Sequence, residues 1–513
     1  MLRARSRWLS AVIAAAATIV VGIQSASVGL TVPLGPDGGL WGVAARVRAA
    51  GQPVALPPLF PTLAGWFGFG DPMVGALVVN AFAVGFTAWL VGEVAAAAAR
   101  TEDVRAAARL GGTLLGTVCL HGGLVASQVQ PEAVSLMVLT LLIWAGQRAL
   151  AEPTVKRFAL WGGAIGLVFT AREHGLVVGA FTLAVAASVP GEGRLRRILG
   201  LLAVAQLVGM IVGGEISGIA GVVADGIGRS SAHLGESARL SAGLGIEGGP
   251  PDMDGAARSA ARGLGLAWVM LRRGGEVGLP ESLALVGATW AVVRIARSRR
   301  VALAMAFGAP LASLAATMVL WTQWRHVLVV AGPALAVFLV GVVEAVEARG
   351  GVRRFGGIVV VVVLLSAPQA WLAVRTGGGA PVVPANATEL RAAAAFIAAH
   401  AAPGDLAAGD LRGVLLTGLL PSPIPPGTPP GSLRTPSVGW RTWILSRTTA
   451  PSALWREQAT FGPFRVLRAE APAAKRACLA GTLNSAGIAD FPVMNPEESS
   501  WVSPADPALC ADR

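Results

Sequence analysis

Charged residues are scarce in this chain of 513 residues: Asp, Glu, Lys and Arg together make up 14% of it, whereas 54% is hydrophobic. The mean hydropathy is +0.63. A soluble protein of this composition would expose far more apolar surface than soluble proteins do, so a soluble globular fold is excluded. Apolar runs long enough to cross hydrocarbon recur along most of the sequence, which indicates a polytopic membrane protein.

Several functional signatures are also absent. The chain has three cysteines and five histidines, with no CxxC pair and no His/Cys cluster that would indicate zinc. It contains no Walker motif and no GxGxxG on a strand–helix turn, so no soluble nucleotide site is predicted. No cofactor is evident, and the need for a divalent metal stays open. Lys and Arg exceed Asp and Glu by 12, but the arginines cluster between apolar runs, so topology explains the surplus better than nucleic-acid binding does.

The apolar segments predict about eleven membrane spans. They lie at about residues 8–28, 73–95, 110–127, 132–149, 158–173, 175–190, 198–217, 280–296, 301–320, 326–345 and 355–373. Every second loop is basic, six times in a row: Arg3/Arg5/Arg7, Arg100/Arg105/Arg109, Arg148/Lys156/Arg157, Arg194/Arg196/Arg197, Arg297/Arg299/Arg300 and Arg349/Arg353/Arg354. The positive-inside rule places these loops and the N-terminus in the cytoplasm and the C-terminal region outside. We therefore predict a multi-pass protein of the inner (plasma) membrane.

This topology predicts two domains. Residues 1–376 form the transmembrane domain, with outer loops at 29–72 and 218–279, and residues 377–513 form a small α/β domain outside the cytoplasm. In that tail, Asn386 and Glu389 mark the start of a helix that runs to about His400. A turn at 403–405 follows. Strands are predicted at 406–408, 413–420, 442–446 and 464–468, with a Pro/Gly-rich loop at 421–438.

Two cysteines, Cys478 and Cys510, fall in this outer tail. Cysteines in an oxidising compartment usually pair, so the sequence predicts a disulfide between them. The alternative is two free thiols.

The polar residues that the topology places at the outer face are the candidate site residues. They are Asp37 in the first outer loop, Glu132 at the start of the fourth span, Arg172, Glu173 and His174 in the hairpin between the fifth and sixth spans, and Arg325 and His326 at the outer end of the tenth span. Because all of them converge on one face, an active site is predicted at the outer lipid–water boundary.

Each of these residues also has a purely structural interpretation. Asp37 could be a solvated turn residue. The two arginines could be interfacial anchors whose guanidinium groups reach headgroups, and Glu173 could pair with either of them. The two histidines could be hydrogen-bonded interface residues, and Glu132 could complement a helix dipole. The combination of acids, arginines and histidines on one face is what favours a functional site.

The chemistry suited to this set is group transfer from a lipid phosphate. A buried arginine binds phosphate with two parallel hydrogen bonds. A neighbouring carboxylate accepts a proton from an acceptor hydroxyl or amine as the glycosyl bond breaks. The lipid tail of the donor would stay in the bilayer, which agrees with the missing nucleotide motifs.

Several segments resemble the GT-C superfamily of polytopic glycosyltransferases, especially the bacterial branch related to protein O-mannosyltransferases and lipid A aminoarabinose transferases. The first three are Pro36-Asp37 followed by the amphipathic stretch 40–51, the run Leu56-Pro57-Pro58-Leu59-Phe60-Pro61, and Gln130-Pro131-Glu132-Ala133. The others are residues 166–174, residues 325–333 from Arg325-His326-Val327 to Pro333, and the tail from Glu389-Leu390-Arg391 to Pro403-Gly404-Asp405.

This resemblance implies a GT-C-like helical membrane fold with a small outer domain. It also implies that Asp37 is the catalytic carboxylate, that Arg172 and Arg325 face the donor phosphate, and that Glu132, Glu173, His174 and His326 support them. Three positions depart from the family pattern. Gly38 follows Asp37 where a second acid is common, His326 replaces a tyrosine, and Glu173 replaces a proline.

The first hypothesis is therefore a membrane glycosyltransferase that takes a sugar from a polyprenyl-phosphate donor and passes it to an envelope acceptor, either a protein, a lipid or a glycan. Its partners would be that donor, the acceptor and the lipid bilayer. The alternatives are a transporter or flippase and a non-catalytic scaffold for envelope assembly. Transport would favour charges buried in mid-span and an internal repeat, and the sequence shows neither.

Overall fold

The computed structural model describes residues 2–29, 38–51, 56–119, 128–172, 175–214, 218–224, 279–320, 324–347, 355–361, 386–403, 405–421, 441–446 and 456–470. Up to residue 361 these ranges are almost entirely helical. The described residues between 386 and 470, which we call the C-terminal unit, combine helices with a small sheet.

Each predicted span overlaps a helix in the residues that the structure describes. The helices before residue 350 are α1 (Leu2–Gly29), α2 (Gly38–Ala49), α3 (Leu59–Phe67), α4 (Pro72–Ala98), α5 (Glu102–Cys119), α6 (Glu132–Ala151), α7 (Val155–Ala171), α8 (Gly175–Ser188), α9 (Arg194–Gly213), α10 (Leu279–Arg297), α11 (Val301–Leu320) and α12 (Trp324–Glu347). Residues 219–224 and 355–361 are also helical, and the second of these covers the start of the last predicted span. The predicted helical fold is confirmed.

Apolar composition makes several of these helices suited to a bilayer. Among the described residues, the stretches long and apolar enough to cross a membrane are Ala4–Ala26, Pro72–Ala98, Glu132–Ala151, Arg194–Gly213 and Val329–Glu347. Large apolar side chains such as Ile19, Ile23 and Leu199 are exposed on α1 and α9. Exposed apolar faces of this kind are suited to lipid contact. The chain is a multi-pass membrane protein.

Buried charges tie four helices together at one end of the bundle. Arg109 of α5 donates from Nε to Glu93 Oε1 of α4 at 2.5 Å, and from Nη1 to Ser6 Oγ of α1 at 2.9 Å. Arg148 of α6 reaches Glu93 Oε2 at 3.3 Å. Because Glu93 and Arg109 are only 4% and 3% exposed, each charge needs the other to offset its desolvation. We call this end of the bundle the Glu93 end.

The opposite end, which we call the Arg172 end, lies where α6 begins and α7 ends. Asn80 on α4 donates from Nδ2 to the carbonyl oxygens of Gln128 at 2.7 Å and Gln130 at 3.1 Å, just before α6. Thr62 on α3 donates to the carbonyl of Val212 near the end of α9 at 3.1 Å. The two short helices α2 and α3, which fall in the predicted outer loop 29–72, therefore sit at the Arg172 end.

The C-terminal unit is a small α/β structure. It contains α13 (Ala387–His400), β1 (Leu406–Gly409), α14 (Leu411–Thr417), β2 (Leu420–Pro421), β3 (Arg441–Ser446), β4 (Arg456–Phe461) and β5 (Phe464–Glu470). The strand order is β2-β1-β3-β5-β4. Strand β1 is parallel to β2 and β3, while β5 is antiparallel to β3 and β4. Helix α13 buries Leu390 and Ile397 against Trp443 and Val466 of the sheet.

The tail prediction is confirmed for α13 and for the strands at 406–408, 442–446 and 464–468, but the strand predicted at 413–420 is wrong. Those residues belong mainly to α14. Asp410 caps this helix by accepting hydrogen bonds from the N–H groups of Arg412 and Gly413, both at 3.1 Å. Gly418 ends it with a left-handed φ of 79°. Capping at both ends therefore outweighs the apolar run on which the strand was predicted.

The structure also shows elements that the sequence reading missed. Strand β4 is an edge strand whose residues are mostly polar, so it lacks an apolar alternation. Helix α5 begins at Glu102, well before the predicted span start at residue 110. Arg105 and Arg109, predicted in a loop, therefore lie on this helix. Arg148, which was counted with a basic loop although it falls in the predicted span 132–149, lies on α6. Acids in the first turn of α5 favour a helix start there because they complement its dipole.

Several predictions fall outside the described residues. These are the placements of Asp37, Glu173 and His174, most of the outer loop 218–279, and the disulfide between Cys478 and Cys510. They stay predictions.

We expect Glu93→Ala to lower the free energy of unfolding by about 3–5 kcal/mol, because it leaves Arg109 as a buried charge without its carboxylate. Glu102→Ala is the matched control. It removes an ion pair between Arg105 and a glutamate that is 51% exposed, and we expect a loss below about 1 kcal/mol. Thermal unfolding of the detergent-solubilised protein measures both, and equal shifts would contradict the assignment.

Candidate active site

The site is built from the start of α6 and the end of α7. Glu132 is the first residue of α6 and follows Pro131, so its carboxylate sits at the positive end of the helix dipole. Arg172 follows the last residue of α7 with an extended backbone, φ −162° and ψ 167°. Its carbonyl accepts from the N–H of Gly175 at 2.9 Å, where α8 begins. The Arg172 side chain lies against the start of α6.

The two side chains form a buried ion pair. Arg172 Nη1 donates to Glu132 Oε1 at 2.8 Å, and the side chains are only 8% and 5% exposed. A guanidinium is planar and presents its donors in a fixed fork, so a carboxylate bound on one side fixes the orientation of the whole group. The pair therefore holds an oriented cation inside the Arg172 end of the bundle.

Helix α12 runs through the bundle in the same direction as α6. Its last residue, Glu347, accepts from the backbone N–H groups of Arg100 at 2.7 Å and Thr101 at 3.0 Å, just beyond the end of α4. The end of α12 therefore lies at the Glu93 end, and its start points to the Arg172 end.

The start of α12 lies level with the ion pair along the bundle. Gly332 packs so closely on α6 that a Cβ there would lie 2.9 Å from Thr140 Oγ1. At 1.5 Å per residue, about 10 Å of helix separates Arg325 from Gly332, and about 12 Å separates Glu132 from Thr140. The backbone of Arg325 and His326 therefore lies at about the same depth in the bundle as Glu132. The structure does not describe the side chains of these two residues.

Two of the predicted site residues, Glu132 and Arg172, are thus brought into direct contact, whereas the sequence had suggested only Glu173 as an acid partner for Arg172. The alternative pairing of Arg172 with Glu173 involves a residue outside the described ranges. Asp37 is also outside them and directly precedes α2 in the chain.

A second feature of the Arg172 end was missed by the sequence reading. A cavity of about 280 Å³ lies between α2, α3 and the end of α9. It is lined by Arg48, Ala49, Gly51, Thr62, Gly65, Trp66 and Gly214. Arg48 donates from Nη2 to the carbonyl of Val212 at 2.9 Å and from Nε to Thr62 Oγ1 at 3.2 Å. Arg48 lies within the amphipathic stretch 40–51, and its charge on that helix was the available signal.

In the part of the chain that the structure describes, no group of three or more His, Cys, Asp or Glu side chains lies close enough together to hold a metal ion. The chemistry of the described site is that of a cation held by a carboxylate.

Comparison with known proteins bears on the fold. The chain matches no protein-family model and no curated protein. Among solved structures it is similar to ArnT from Cupriavidus metallidurans bound to undecaprenyl phosphate, with a TM-score of 0.50 and 15% identity over 89% of this chain and 97% of that chain. It is also similar to the oligosaccharyltransferase of Archaeoglobus fulgidus in complex with Zn and sulfate, with a TM-score of 0.50 and 11% identity over 79% of this chain. The match spans 61% of the archaeal protein's length.

Both of these proteins are GT-C membrane glycosyltransferases. This chain has the GT-C fold. The resemblance predicted from Pro36-Asp37, the proline-rich run and the later motifs is confirmed at the level of the fold.

The ion pair predicts a distinctive pattern of stability. Glu132→Leu and Arg172→Met should each destabilise the protein by about 3–5 kcal/mol, because each leaves one buried charge without its partner. The double variant should be close to the parent, because it leaves neither charge behind. Thermal unfolding of all four proteins tests this, and purely additive losses would show that the pair is not coupled.

Proposed function

We propose that this protein is a membrane glycosyltransferase that moves a sugar from a polyprenyl-phosphate donor to an acceptor of the cell envelope. Two observations support it. The chain has the GT-C fold, and one of the solved structures that it resembles, that of ArnT, was bound to undecaprenyl phosphate. A lipid-linked donor also agrees with the absence of nucleotide-binding motifs in the sequence.

The observation that carries the proposal is the buried Arg172–Glu132 ion pair. A guanidinium at the boundary of the hydrocarbon can bind the charged phosphate of a donor whose tail stays in the bilayer. Glu132 acts as a positioning residue. It offsets part of the free-energy cost of desolvating Arg172, and it fixes the direction in which the guanidinium N–H donors point. Arg325 joins this role in the proposal because its backbone lies at the same depth.

The proposed reaction needs one base and one leaving group. The acceptor oxygen or nitrogen forms a bond to the anomeric carbon of the sugar, and the bond from that carbon to the phosphate oxygen breaks. The electron pair leaves with the polyprenyl phosphate, whose charge Arg172 and Arg325 stabilise. Asp37 accepts the proton that the acceptor loses. Glu173, His174 and His326 are proposed to support this site.

The proposal includes an orientation. The Arg172 end, with α2, α3 and the C-terminal unit, faces outward from the inner membrane, and the Glu93 end faces the cytoplasm. Basic residues such as Arg148, Arg157 and Arg197 belong to the predicted cytoplasmic segments. Residues 1–376 then form the transmembrane domain and residues 377–513 the outer domain.

Asp37→Asn should reduce transfer by at least about 10²-fold, because it removes the base while keeping the size of the side chain. Arg325→Ala should instead weaken donor binding, at a cost of about 2–5 kcal/mol for a buried charge contact. The measurement is turnover of a polyprenyl-phosphate sugar by membranes that carry each variant.

The double variant Arg172→Met with Glu132→Leu separates catalysis from folding in the same assay. It should unfold like the parent yet transfer poorly, because it lacks the phosphate-binding cation. Parent-like transfer by this variant would remove Arg172 from the site, and parent-like transfer by Asp37→Asn would refute the role of Asp37. A parent protein that transfers from no lipid-linked sugar would favour the scaffold or transport hypotheses.

The orientation has its own test. A reporter enzyme that is active only outside the cytoplasm, fused after Arg513, should be active, and the same reporter placed in the connection between α6 and α7 should be silent. A signal from the second fusion alone would invert the topology and move the proposed site to the wrong side of the membrane.

A further inference from the structure

The C-terminal unit contacts α2 through hydrogen bonds from Arg46. Arg46 of α2 donates from Nη1 to the carbonyl oxygens of Val414 at 3.4 Å and Leu419 at 3.1 Å. These carbonyls lie in the last turn of α14 and just beyond it, at the negative end of the helix dipole. Burial lowers the pKa of Arg46, and the carboxylate of Asp71 raises it in part. Arg46 is thus a cationic cap on a helix of another part of the chain.

An apolar contact surrounds this cap. Val43 and Val47 of α2 are buried with Val414 and Leu415 of α14 and with Met73 at the start of α4. Gly42 faces the same surface so closely that a Cβ there would overlap the Leu415 side chain. A side chain at residue 42 would therefore force the Leu415 side chain to move, and a large one would crowd the contact between α2 and α14.

The opposite face of α2 is fastened to the membrane helices. Arg48 binds the carbonyl of Val212 near the end of α9 and the hydroxyl of Thr62 on α3. Residues two apart on a helix do not share a face, so Arg46 and Arg48 project to different neighbours. Helix α2 is accordingly held between the C-terminal unit and the bundle.

We propose that the C-terminal unit is a positioning element for the transfer reaction and acts through Gly42 and Arg46 on α2. This inference rests on the proposed function, in which Asp37 directly precedes α2. Helix α2 has 12 residues and is about 18 Å long. Because a short helix moves as a unit, a shift of α2 at Arg46 also shifts its first turn, next to Asp37. A displacement of about 1 Å at a reacting group costs on the order of 10²-fold in rate.

The test uses the full chain in membranes and compares Gly42→Leu, Arg46→Ala, Arg46→Lys and Arg391→Ala. Arg391 is an exposed arginine on α13, away from the α2 contact, and serves as the matched control. Gly42→Leu and Arg46→Ala should lower kcat by about 10-fold or more with little change in the KM for a polyprenyl-phosphate sugar, because positioning acts on the bound complex. Arg46→Lys should recover part of kcat, and Arg391→Ala should match the parent.

Hydrogen–deuterium exchange reports docking without any assay of activity. Faster exchange in α14 is expected for Gly42→Leu and Arg46→Ala. Faster exchange with parent-like kcat would overturn the positioning role while leaving the glycosyltransferase proposal intact. Parent-like exchange in both variants would overturn the docking contact itself. A parent protein with no transfer from any lipid-linked sugar would overturn both proposals together.

Discussion

A charge buried among apolar helices must find its counter-charge inside the protein, and this constraint organises both ends of the bundle. The desolvation of a carboxylate or guanidinium costs several kcal/mol, which only a close partner can offset. Glu93 is paired with Arg109 and Arg148, and these ion pairs connect α4, α5 and α6. Glu132 is paired with Arg172, and this ion pair connects the start of α6 to the end of α7. The ion pairs therefore join the same helices that pack together, one pair at each end of the bundle.

Helices could be predicted from the sequence because their signals are local. The predicted span 301–320 coincides with α11, and Asn386 and His400 bound α13 as expected. The wrong strand prediction also has a local cause, because two local signals disagree. The run 413–420 is apolar enough for a strand, but Asp410 and Gly418 cap it as a helix. In this segment the capping residues at both ends outweigh the apolar run.

The site was predicted only as a set of residue types on one face. Topology placed Glu132 and Arg172 together because both were assigned to the outer ends of spans, but no sequence rule pairs residues 40 positions apart. Glu93 was missed for the complementary reason: a single acid inside an apolar run has no local signature of its partner. The role of Arg46 was equally hidden, since its acceptors lie more than 360 residues away in the chain.

The two buried ion pairs have similar chemistry but different surroundings, and the surroundings separate structural from functional roles. About 24 Å of α6 lies between Glu132 and Arg148. At the Glu93 end the contacts join α1, α4, α5 and α6 to one another, which is sufficient reason for the charges to be there. At the Arg172 end, α2, α3, a cavity beside Arg48 and the docked C-terminal unit all meet. A charged pair that only stabilised helices would not need these additional elements around it, so the Arg172 end is where lipid-linked chemistry is proposed.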